Sequence, residues 1–143
     1  MLKFALGLVV LSIISFEITH GKVFTKCELA RELFKQGIPK SELPDWVCMA
    51  SGESSFNTKA TNRNKNKTGD WGIFQINDRY WCKPSENRPS HNICGVSCND
   101  LLQDNIAKSV ACARIVKKQQ GWEAWNAWKS KCRSNKPSVS ECF

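Results

Sequence analysis

The sequence predicts an α+β fold that is mostly helical and cross-linked by disulfides. Apolar residues recur at helical spacing in the first and last thirds of the chain, whereas residues 70–77 are rich in strand-forming side chains. Eight cysteines, with no Cys-x-x-Cys pair among them, indicate a disulfide framework rather than a zinc or thiol redox motif. A length of 143 residues predicts a single core, because two enzyme-sized domains would need a longer chain.

The first 21 residues have the features of a secretory signal. Lys3 gives a basic start, residues 6–16 are almost wholly apolar, and small residues follow near the expected cleavage point. A membrane anchor is the alternative, but the apolar stretch is too short to span a bilayer and is followed by Glu17. We therefore expect residues 1–21 to be removed and a secreted domain to comprise residues 22–143.

The formal net charge of +8 indicates an anionic partner. The signal carries one lysine and one glutamate, so the charge remains +8 after cleavage. An anionic bacterial surface is favoured over nucleic acid, because the basic residues are scattered and no nucleic-acid-binding motif occurs. The alternative to an anionic partner is that the positive charge serves only to keep the protein soluble. No long apolar run follows the signal, so we expect no stable membrane insertion, and we expect a monomer.

Two helices are predicted in the first third of the domain. Thr25 and Glu28 have the spacing of a capping box, and Gly37 offers a stop. A second helix is expected to begin near Leu43-Pro44, since proline suits the first turn. Its apolar stripe consists of Trp46, Met49 and Ala50. Glu53 falls next on that stripe.

A small β region and two further helices are predicted in the rest of the chain. A polar stretch without periodicity, residues 61–69, leads into residues 70–77, which together suggest a small β-hairpin. Apolar residues recur again at helical spacing over residues 101–118, which predicts a third helix. The next three tryptophans, Trp122, Trp125 and Trp128, have the spacing of one face of another helix. Trp46 and Trp128 are interpreted as core residues.

His91 is the only histidine of the predicted mature chain. It lies in the polar loop 86–92 without a strand-turn-helix serine motif nearby, which argues against a Ser-His-acid hydrolase. A zinc site would need other ligands, while the thiols are expected to be oxidised. We therefore expect His91 to be an ordinary surface residue and acid–base chemistry to depend on carboxylates.

Glu53 and Asp70 form the candidate pair of catalytic carboxyls. Glu53 extends an apolar stripe near a helix C-terminus, where burial and the helix dipole both raise the pKa of a carboxyl. Asp70 follows side chains that can donate hydrogen bonds and keep it ionised: Asn62, Asn64, Asn66 and Thr68. Glycoside hydrolysis requires two carboxyls whose pKa values differ in this way. Spacing alone is a weak signal, because most such pairs are unrelated surface charges.

Several separate segments match the motifs of one known family. They are residues 22–24, 27–30, 46–48, 53–58, 60–64, 70–77, 80–82 and 124–125. The positions of all eight cysteines also match that family. On these motifs the chain resembles the chicken-type (C-type) lysozymes, a glycoside hydrolase family, over essentially all of residues 22–143. The short 27–48 and 132–142 segments resemble the insect branch. This family is itself the type case of two-carboxylate catalysis.

The resemblance implies a role for each candidate residue. Glu53 corresponds to the general acid, and Asp70 to the nucleophile or cation stabiliser. Asn64 and Asn77 match amides that hydrogen-bond the aspartate, and Trp125 matches an indole that packs against the glutamate. The sugar-binding residues implied are Asn62, Gln75, Asn77, Tyr80 and Trp81.

The resemblance also implies a helical lobe and a small antiparallel β-lobe with a cleft between them. The implied disulfides are Cys27–Cys142, Cys48–Cys132, Cys82–Cys98 and Cys94–Cys112, whereas eight cysteines alone leave about 105 connectivities open. No metal or organic cofactor is implied. Asp100 and Asp104 fall in the loop where some relatives bind calcium, but Ala107 and Lys108 replace two further acids, so we expect no bound calcium.

Three further departures from the family affect specificity. Tyr80 stands where many members have tryptophan, and residues 117–120 lack an aspartate that some relatives use for the distal sugar. Asn66-Lys67-Thr68 is a glycosylation sequon close to Asp70, where a glycan would hinder substrate. These differences leave the chemistry of the two carboxyls unchanged.

The sequence thus predicts a secreted muramidase that acts on bacterial peptidoglycan, with weaker activity on chitin oligosaccharides. The role would be antibacterial defence or digestion. Two alternatives remain open: a cationic protein that disrupts bacterial membranes without catalysis, and a sugar-binding relative that has lost catalysis. The presence of both Glu53 and Asp70 favours the enzyme.

Overall fold

Three α-helices and one three-stranded antiparallel sheet form the regular structure of residues 21–143, the part of the chain that the computed structural model describes. The helices are α1 (Lys26–Lys35), α2 (Leu43–Ser54) and α3 (Ala107–Gln120), and the strands are β1 (Thr61–Arg63), β2 (Gly69–Trp71) and β3 (Ile76–Asn77). This confirms the predicted α+β class. The predicted signal lies outside the described residues, apart from Gly21. Within residues 21–143, no helix has the length and apolar character needed to span a bilayer.

Both helices predicted in the first third of the domain are confirmed. At the start of α1 the Thr25 hydroxyl accepts a hydrogen bond from the Glu28 N–H at 3.2 Å, and the Glu28 carboxylate accepts one from the Thr25 N–H at 3.3 Å. This is a reciprocal capping box. Gly37 follows the helix with φ of +91°, a conformation that favours glycine. Helix α2 begins at Leu43 with a proline in its first turn.

Trp46 lies at the centre of the helical core and is fully buried. Its ring packs edge-on against Phe74 and Trp122, with centroids 5.5 Å and 5.2 Å away. Trp128 is also buried and stacks on Trp122 with centroids 6.1 Å apart. The prediction that Trp46 and Trp128 belong to the core is therefore confirmed.

The prediction of a single helix after α3 is wrong. Trp122 lies in a 3-10 turn, Trp125 has extended backbone with φ of −107° and ψ of 120°, and Trp128 begins a turn of π-helix. The Trp125 indole donates a hydrogen bond to the Phe74 carbonyl at 2.9 Å and packs near Trp46. Because the three rings pack against Trp46 or against one another, tertiary contacts override the helical periodicity here.

The sheet positions three polar residues in one row. Strand β2 pairs with β1 on one side and with β3 on the other, so that Asp70 lies directly between Asn62 and Asn77. The predicted hairpin is confirmed, but β1 lies inside the polar stretch 61–69. All three residues of β1 are exposed, so they show no apolar alternation that the sequence could reveal.

Helix α3 begins later than predicted. Leu101 lies in a short 3-10 turn, and the helix begins at Ala107. The Leu101 carbonyl accepts a hydrogen bond from the Ser109 hydroxyl at 3.2 Å and lies 2.0 Å from where a Cβ on Gly72 would stand. The Asn105 side chain accepts a hydrogen bond from the N–H of Ala107, the first residue of the helix, at 3.0 Å. Leu101 thus contacts the turn after β2 instead of lying in the helix, which begins only at Ala107.

Four disulfides join the cysteines of the chain, and each pairing implied by the resemblance is confirmed. They are Cys27–Cys142, Cys48–Cys132, Cys82–Cys98 and Cys94–Cys112. The first closes a loop of 115 positions and the second one of 84, so both tie distant segments of the helical lobe together. Such cross-links stabilise a fold mainly by restricting the unfolded chain.

Candidate active site

A cleft of about 300 Å³ lies between the sheet and the helical lobe. Glu53 and Trp125 line it from the helical lobe, and Asp70 lines it from the sheet. All the other residues predicted from the sequence also line it, except Asn62 and Tyr80. The two candidate carboxyls therefore face one shared space.

Glu53 is placed in the cleft by the last turn of α2. The helix ends one residue later, and Ser55 follows with φ of +52°, so the chain turns directly after the carboxyl. The Ala127 N–H donates a hydrogen bond to Glu53 Oε1 at 3.1 Å. Gly52 permits this approach, because a Cβ at that position would lie 2.7 Å from the Cβ of Ala127.

Burial raises the pKa of the Glu53 carboxyl above its ordinary value, and the negative charge of Asp70 acts in the same direction. The hydrogen bond from Ala127 and the positive charge of Lys131 lower the pKa but are outweighed. A raised pKa keeps the proton on the carboxyl to higher pH. This property suits a general acid.

Both carboxylate oxygens of Asp70 accept hydrogen bonds from asparagine amides. Asn64 Nδ2 donates to Oδ2 at 2.9 Å, and Asn77 Nδ2 donates to Oδ1 at 2.9 Å. Asn77 is the direct partner of Asp70 in the β2–β3 pairing, and Asn64 follows β1 immediately. The register of the sheet thus sets the orientation of the carboxylate.

Thr68 connects the two asparagines. Its Oγ1 accepts hydrogen bonds from Asn64 Nδ2 at 3.1 Å and from Asn77 Nδ2 at 3.0 Å, and it donates to Asn66 Oδ1 at 2.7 Å. Thr68 is buried, whereas Asn66 is exposed at the rim of the cleft. Of the side chains at 62–68 that the sequence suggested as donors to Asp70, only Asn64 makes that hydrogen bond.

Three other predicted residues line the cleft while also making structural contacts. Trp125 and Trp81 are buried, and the indole N–H of Trp125 donates its hydrogen bond to the Phe74 carbonyl. Gln75 Nε2 donates to the carbonyls of Ala60 at 3.0 Å and Gly72 at 2.9 Å. The Gln75 NH2 group is therefore already used by backbone carbonyls, so the side-chain oxygen is the polar atom left for a ligand.

Tyr80 and Asn62 lie outside the lining of this cleft. The Tyr80 ring is 42% exposed and stacks on His91, with centroids 5.6 Å apart and planes 8° from parallel. His91 is exposed, as expected, but it is the stacking partner of an aromatic ring. Asn62 lies opposite Asp70 in the sheet, and its amide donates to Asn64 Oδ1 at 3.3 Å.

The helical lobe also supplies cleft residues that the sequence did not single out. They are Val116, Gln120, Ala124 and Asn126. Two come from the end of α3, and the other two flank Trp125. The latter two, Ala124 and Asn126, lie in the irregular segment where the predicted regular helix was wrong, so no periodicity signalled them.

One close group of metal-ligating side chains occurs among residues 21–143, and it consists of Cys27, Glu141 and Cys142. The two cysteines form a disulfide, so they offer no thiolate to a metal. The carboxylates considered for calcium make other contacts: Asp104 accepts a hydrogen bond from the Thr58 hydroxyl at 2.8 Å, and Asp100 pairs with Lys108 at 3.0 Å.

Comparison with known proteins identifies the family. Residues 22–142 match the sequence model of the C-type lysozyme/alpha-lactalbumin family. Lysozyme 1 of Musca domestica is 54% identical over 124 residues, which are 86% of this chain and 87% of that protein. Lysozyme P of Drosophila melanogaster is 49% identical over 126 residues, which are 87% of this chain and 89% of that protein. These two fly proteins confirm the similarity to insect members.

A solved structure agrees with the sequence comparisons. The crystal structure of recombinant canine milk lysozyme matches with a TM-score of 0.74 at 45% identity, and the match covers 80% of this chain and 92% of that one. The two-lobed fold and the four disulfides are thus found together with this sequence family. The chain therefore belongs to the C-type lysozyme/alpha-lactalbumin family.

Proposed function

We propose that the protein is a secreted muramidase, which hydrolyses the β-1,4 bond between N-acetylmuramic acid and N-acetylglucosamine in bacterial peptidoglycan. The observation that carries this proposal is the pair of carboxyls at one cleft. Glu53 has a raised pKa, whereas Asp70 accepts two amide hydrogen bonds. Glycosidases use two carboxyls in such unlike environments. The relatives named lysozymes support the same activity.

In the first step Glu53 acts as the general acid. Its carboxyl transfers a proton to the glycosidic oxygen as the bond from that oxygen to the anomeric carbon breaks, and the bonding electron pair leaves with the oxygen. Asp70 meets the positive charge that develops on the anomeric carbon, either by forming a bond to it or by stabilising it electrostatically.

In the second step Glu53 acts as the general base. Its carboxylate, now deprotonated, removes a proton from a water molecule that attacks the anomeric carbon. The bond between that carbon and Asp70 breaks, if it has formed, and the carboxylate is regenerated. Because the water enters from the face that the leaving group left, the configuration is retained.

The surrounding residues support this assignment. Asn64 and Asn77 hold the Asp70 carboxylate through both of its oxygens. Gln75 offers an oxygen to sugar hydroxyls, and Trp81 and Trp125 offer apolar surface to sugar faces. We propose Tyr80 and Asn62 only as outer contacts, because they lie outside the cleft lining. None of these roles requires a metal or an organic cofactor.

Charge and disulfides support action outside the cell. The net charge of +8 attracts the protein to anionic bacterial surfaces, and four disulfides suit an oxidising compartment. We propose antibacterial defence as the main role, digestion as a second role, and chitin oligosaccharides as weaker substrates. The protein acts as a monomer in this proposal, because both carboxyls belong to one chain.

The test is analysis of the products released from purified peptidoglycan by the wild type, Glu53→Gln and Asp70→Asn. We expect the wild type to release fragments with reducing muramic acid ends of retained configuration, and both variants to lose nearly all turnover. Glu141→Gln is the matched control, since this exposed carboxylate lies at the C-terminal turn. If folded Glu53→Gln kept substantial cleavage, the assignment of the acid would be wrong.

A further inference from the structure

A second cavity, of about 420 Å³, adjoins the catalytic cleft on the side of the sheet. Asn66 and Thr68 belong to the lining of both spaces, so they form a shared wall. The basic residues that line the second space are Lys67, Arg79, Arg88 and His91. We call it the basic cavity.

Arg88, one of the lining residues, has its charge neutralised by carboxylates. It pairs with the buried Asp78 at 2.7 Å and with Glu86 at 2.8 Å. Burial alone would raise the pKa of Asp78, but hydrogen bonds from Arg88, Trp71 and the Gly69 N–H outweigh it and hold that pKa below its ordinary value. Asp78 is therefore ionised at neutral pH, and its charge is compensated by Arg88.

Lys67 and Arg79 remain as uncompensated positive charges. Among the ion pairs of residues 21–143, neither side chain has a carboxylate partner. Glu86, the remaining acid beside the cavity, is shared between Arg63 and Arg88. The basic cavity therefore carries a net positive charge that is available to a ligand.

Two features preorganise the cavity for an anionic group. The Arg79 guanidinium lies 5.7 Å from the centre of the Tyr80 ring, and that ring stacks on His91. In the shared wall, Asn66 Oδ1 is occupied by the Thr68 hydroxyl and N–H, whereas Asn66 Nδ2 donates to no group among the described residues. A guanidinium, an ammonium and an amide donor thus surround one space.

We propose that the basic cavity binds carboxylates of the peptide stems of peptidoglycan and acts as a specificity site beside the catalytic cleft. This inference rests on the proposed muramidase function. Each N-acetylmuramic acid carries a peptide that ends in carboxylates, and ammonium and guanidinium groups recognise carboxylates through charge-assisted hydrogen bonds. Because Asn66 and Thr68 line both spaces, a stem on a strand bound in the cleft has only this shared wall to cross to reach the basic cavity. Chitin has no stem, so the site distinguishes the two polymers.

The experiment measures KM and kcat on three substrates. They are peptidoglycan strands stripped of teichoic acid, the same strands with their stem carboxylates amidated, and a neutral chitin oligosaccharide. The test variant is Lys67→Asn with Arg79→Gln; asparagine suits the φ of +69° at position 67. The matched control is Lys35→Gln with Lys129→Gln, which removes the same charge at two exposed lysines that do not line the basic cavity.

We expect the test variant to raise KM on unmodified strands about fivefold to tenfold, as for two exposed charge contacts, with kcat unchanged. Its kinetics on the chitin oligosaccharide and on amidated strands should equal those of the wild type. The inference would be overturned if the test variant raised KM equally on chitin or on amidated strands. It would also be overturned if the control variant raised KM on unmodified strands by the same factor. The same variants are also measured on strands that keep their teichoic acid. If KM rose only on these strands, the site would bind phosphate rather than stem carboxylates, and the inference would be overturned.

The two proposals fail in different ways. If the wild type cleaves neither strands nor chitin, the proposed muramidase function is wrong. If the wild type cleaves both and the test variant has unchanged KM on unmodified strands, only the carboxylate site is wrong.

Discussion

Glu53 Oε1 accepts a hydrogen bond from the backbone N–H of Ala127, which lies 74 positions later in the chain. The contact depends on the packing of the irregular segment after α3 against the last turn of α2, where Gly52 and Ala127 are in close contact. The Cys48–Cys132 disulfide joins the same two segments. The position of the candidate acid is therefore set by tertiary packing as much as by its own helix.

Gly52→Ala should displace Ala127 and lower kcat. The new methyl would stand 2.7 Å from the Ala127 Cβ, so the segment must shift, and such overpacking costs about 1–3 kcal/mol of unfolding free energy. Thermal unfolding and steady-state kinetics on peptidoglycan measure the two effects. The double variant Gly52→Ala/Ala127→Gly returns the space and should recover most of the activity; no recovery would show that the contact does not position Glu53.

Glu53→Gln should stabilise the fold at neutral pH while abolishing turnover. Because the folded pKa of Glu53 is raised, the protonated carboxyl favours the fold, and this stability is lost as pH rises through the folded pKa. Because glutamine does not ionise, the variant keeps its stability as pH rises, and its side-chain oxygen still accepts the hydrogen bond from the Ala127 N–H. Melting temperatures of wild type and variant should coincide near pH 3 and separate toward pH 7. A lower melting temperature for the variant at pH 7 would contradict the raised pKa.

Thr68→Val should disturb the orientation of Asp70 without preventing folding. Valine has a similar shape but removes the hydroxyl that bonds the Asn64 and Asn77 amides, at a cost of about 1–3 kcal/mol for the buried polar groups. We expect kcat to fall about tenfold, with little change in KM. Thr68→Ser keeps the hydroxyl and should retain activity. Both variants are produced in a host without N-glycosylation, because Thr68 completes a sequon with Asn66.

Asp78→Asn should destabilise the protein strongly at pH 7 and much less in acid. The carboxylate is 1% exposed and pairs with Arg88, and breaking a buried ion pair costs roughly 3–5 kcal/mol. Since the folded pKa of Asp78 is lowered, its stabilising contribution is present above the unfolded value near pH 4 and is lost as pH falls toward the folded pKa. Denaturant unfolding from pH 7 to pH 2 measures the difference. A variant whose destabilisation stays constant across this range would contradict the lowered pKa.

Lysis of bacterial walls should depend on salt more than cleavage of a neutral chitin oligosaccharide does. The charge of +8 accelerates encounter with an anionic wall, and salt shortens the Debye length from about 10 Å at 0.1 M to about 3 Å at 1 M. Parallel rate measurements across a salt series test this. Equal salt dependence of both substrates would show that steering to the wall does not limit lysis. Glu53→Gln serves in the same series to separate catalysis from killing by charge alone.

Local signals in the sequence were sufficient for the first two helices of the helical lobe. The capping box at Thr25 and the proline in the first turn of α2 act within one helical turn, so neighbouring residues alone specify these helix starts. The raised pKa of Glu53 was also predictable, because its place on an apolar stripe implies burial. The segment carrying Trp125 was not predictable in this way, since its backbone follows contacts with Phe74 and Trp46.

The sequence by itself therefore determined the class of fold, the first two helices and the pair of candidate carboxyls, because these depend on local spacing and on motifs. The pairing of the eight cysteines came from the resemblance to a family, not from spacing. Only the tertiary structure decided that Ala127 bonds Glu53, that Thr68 bonds Asn77, and that Tyr80 stacks on His91 outside the cleft lining. Each of these contacts depends on how separate segments pack and pair in three dimensions, which no local spacing specifies.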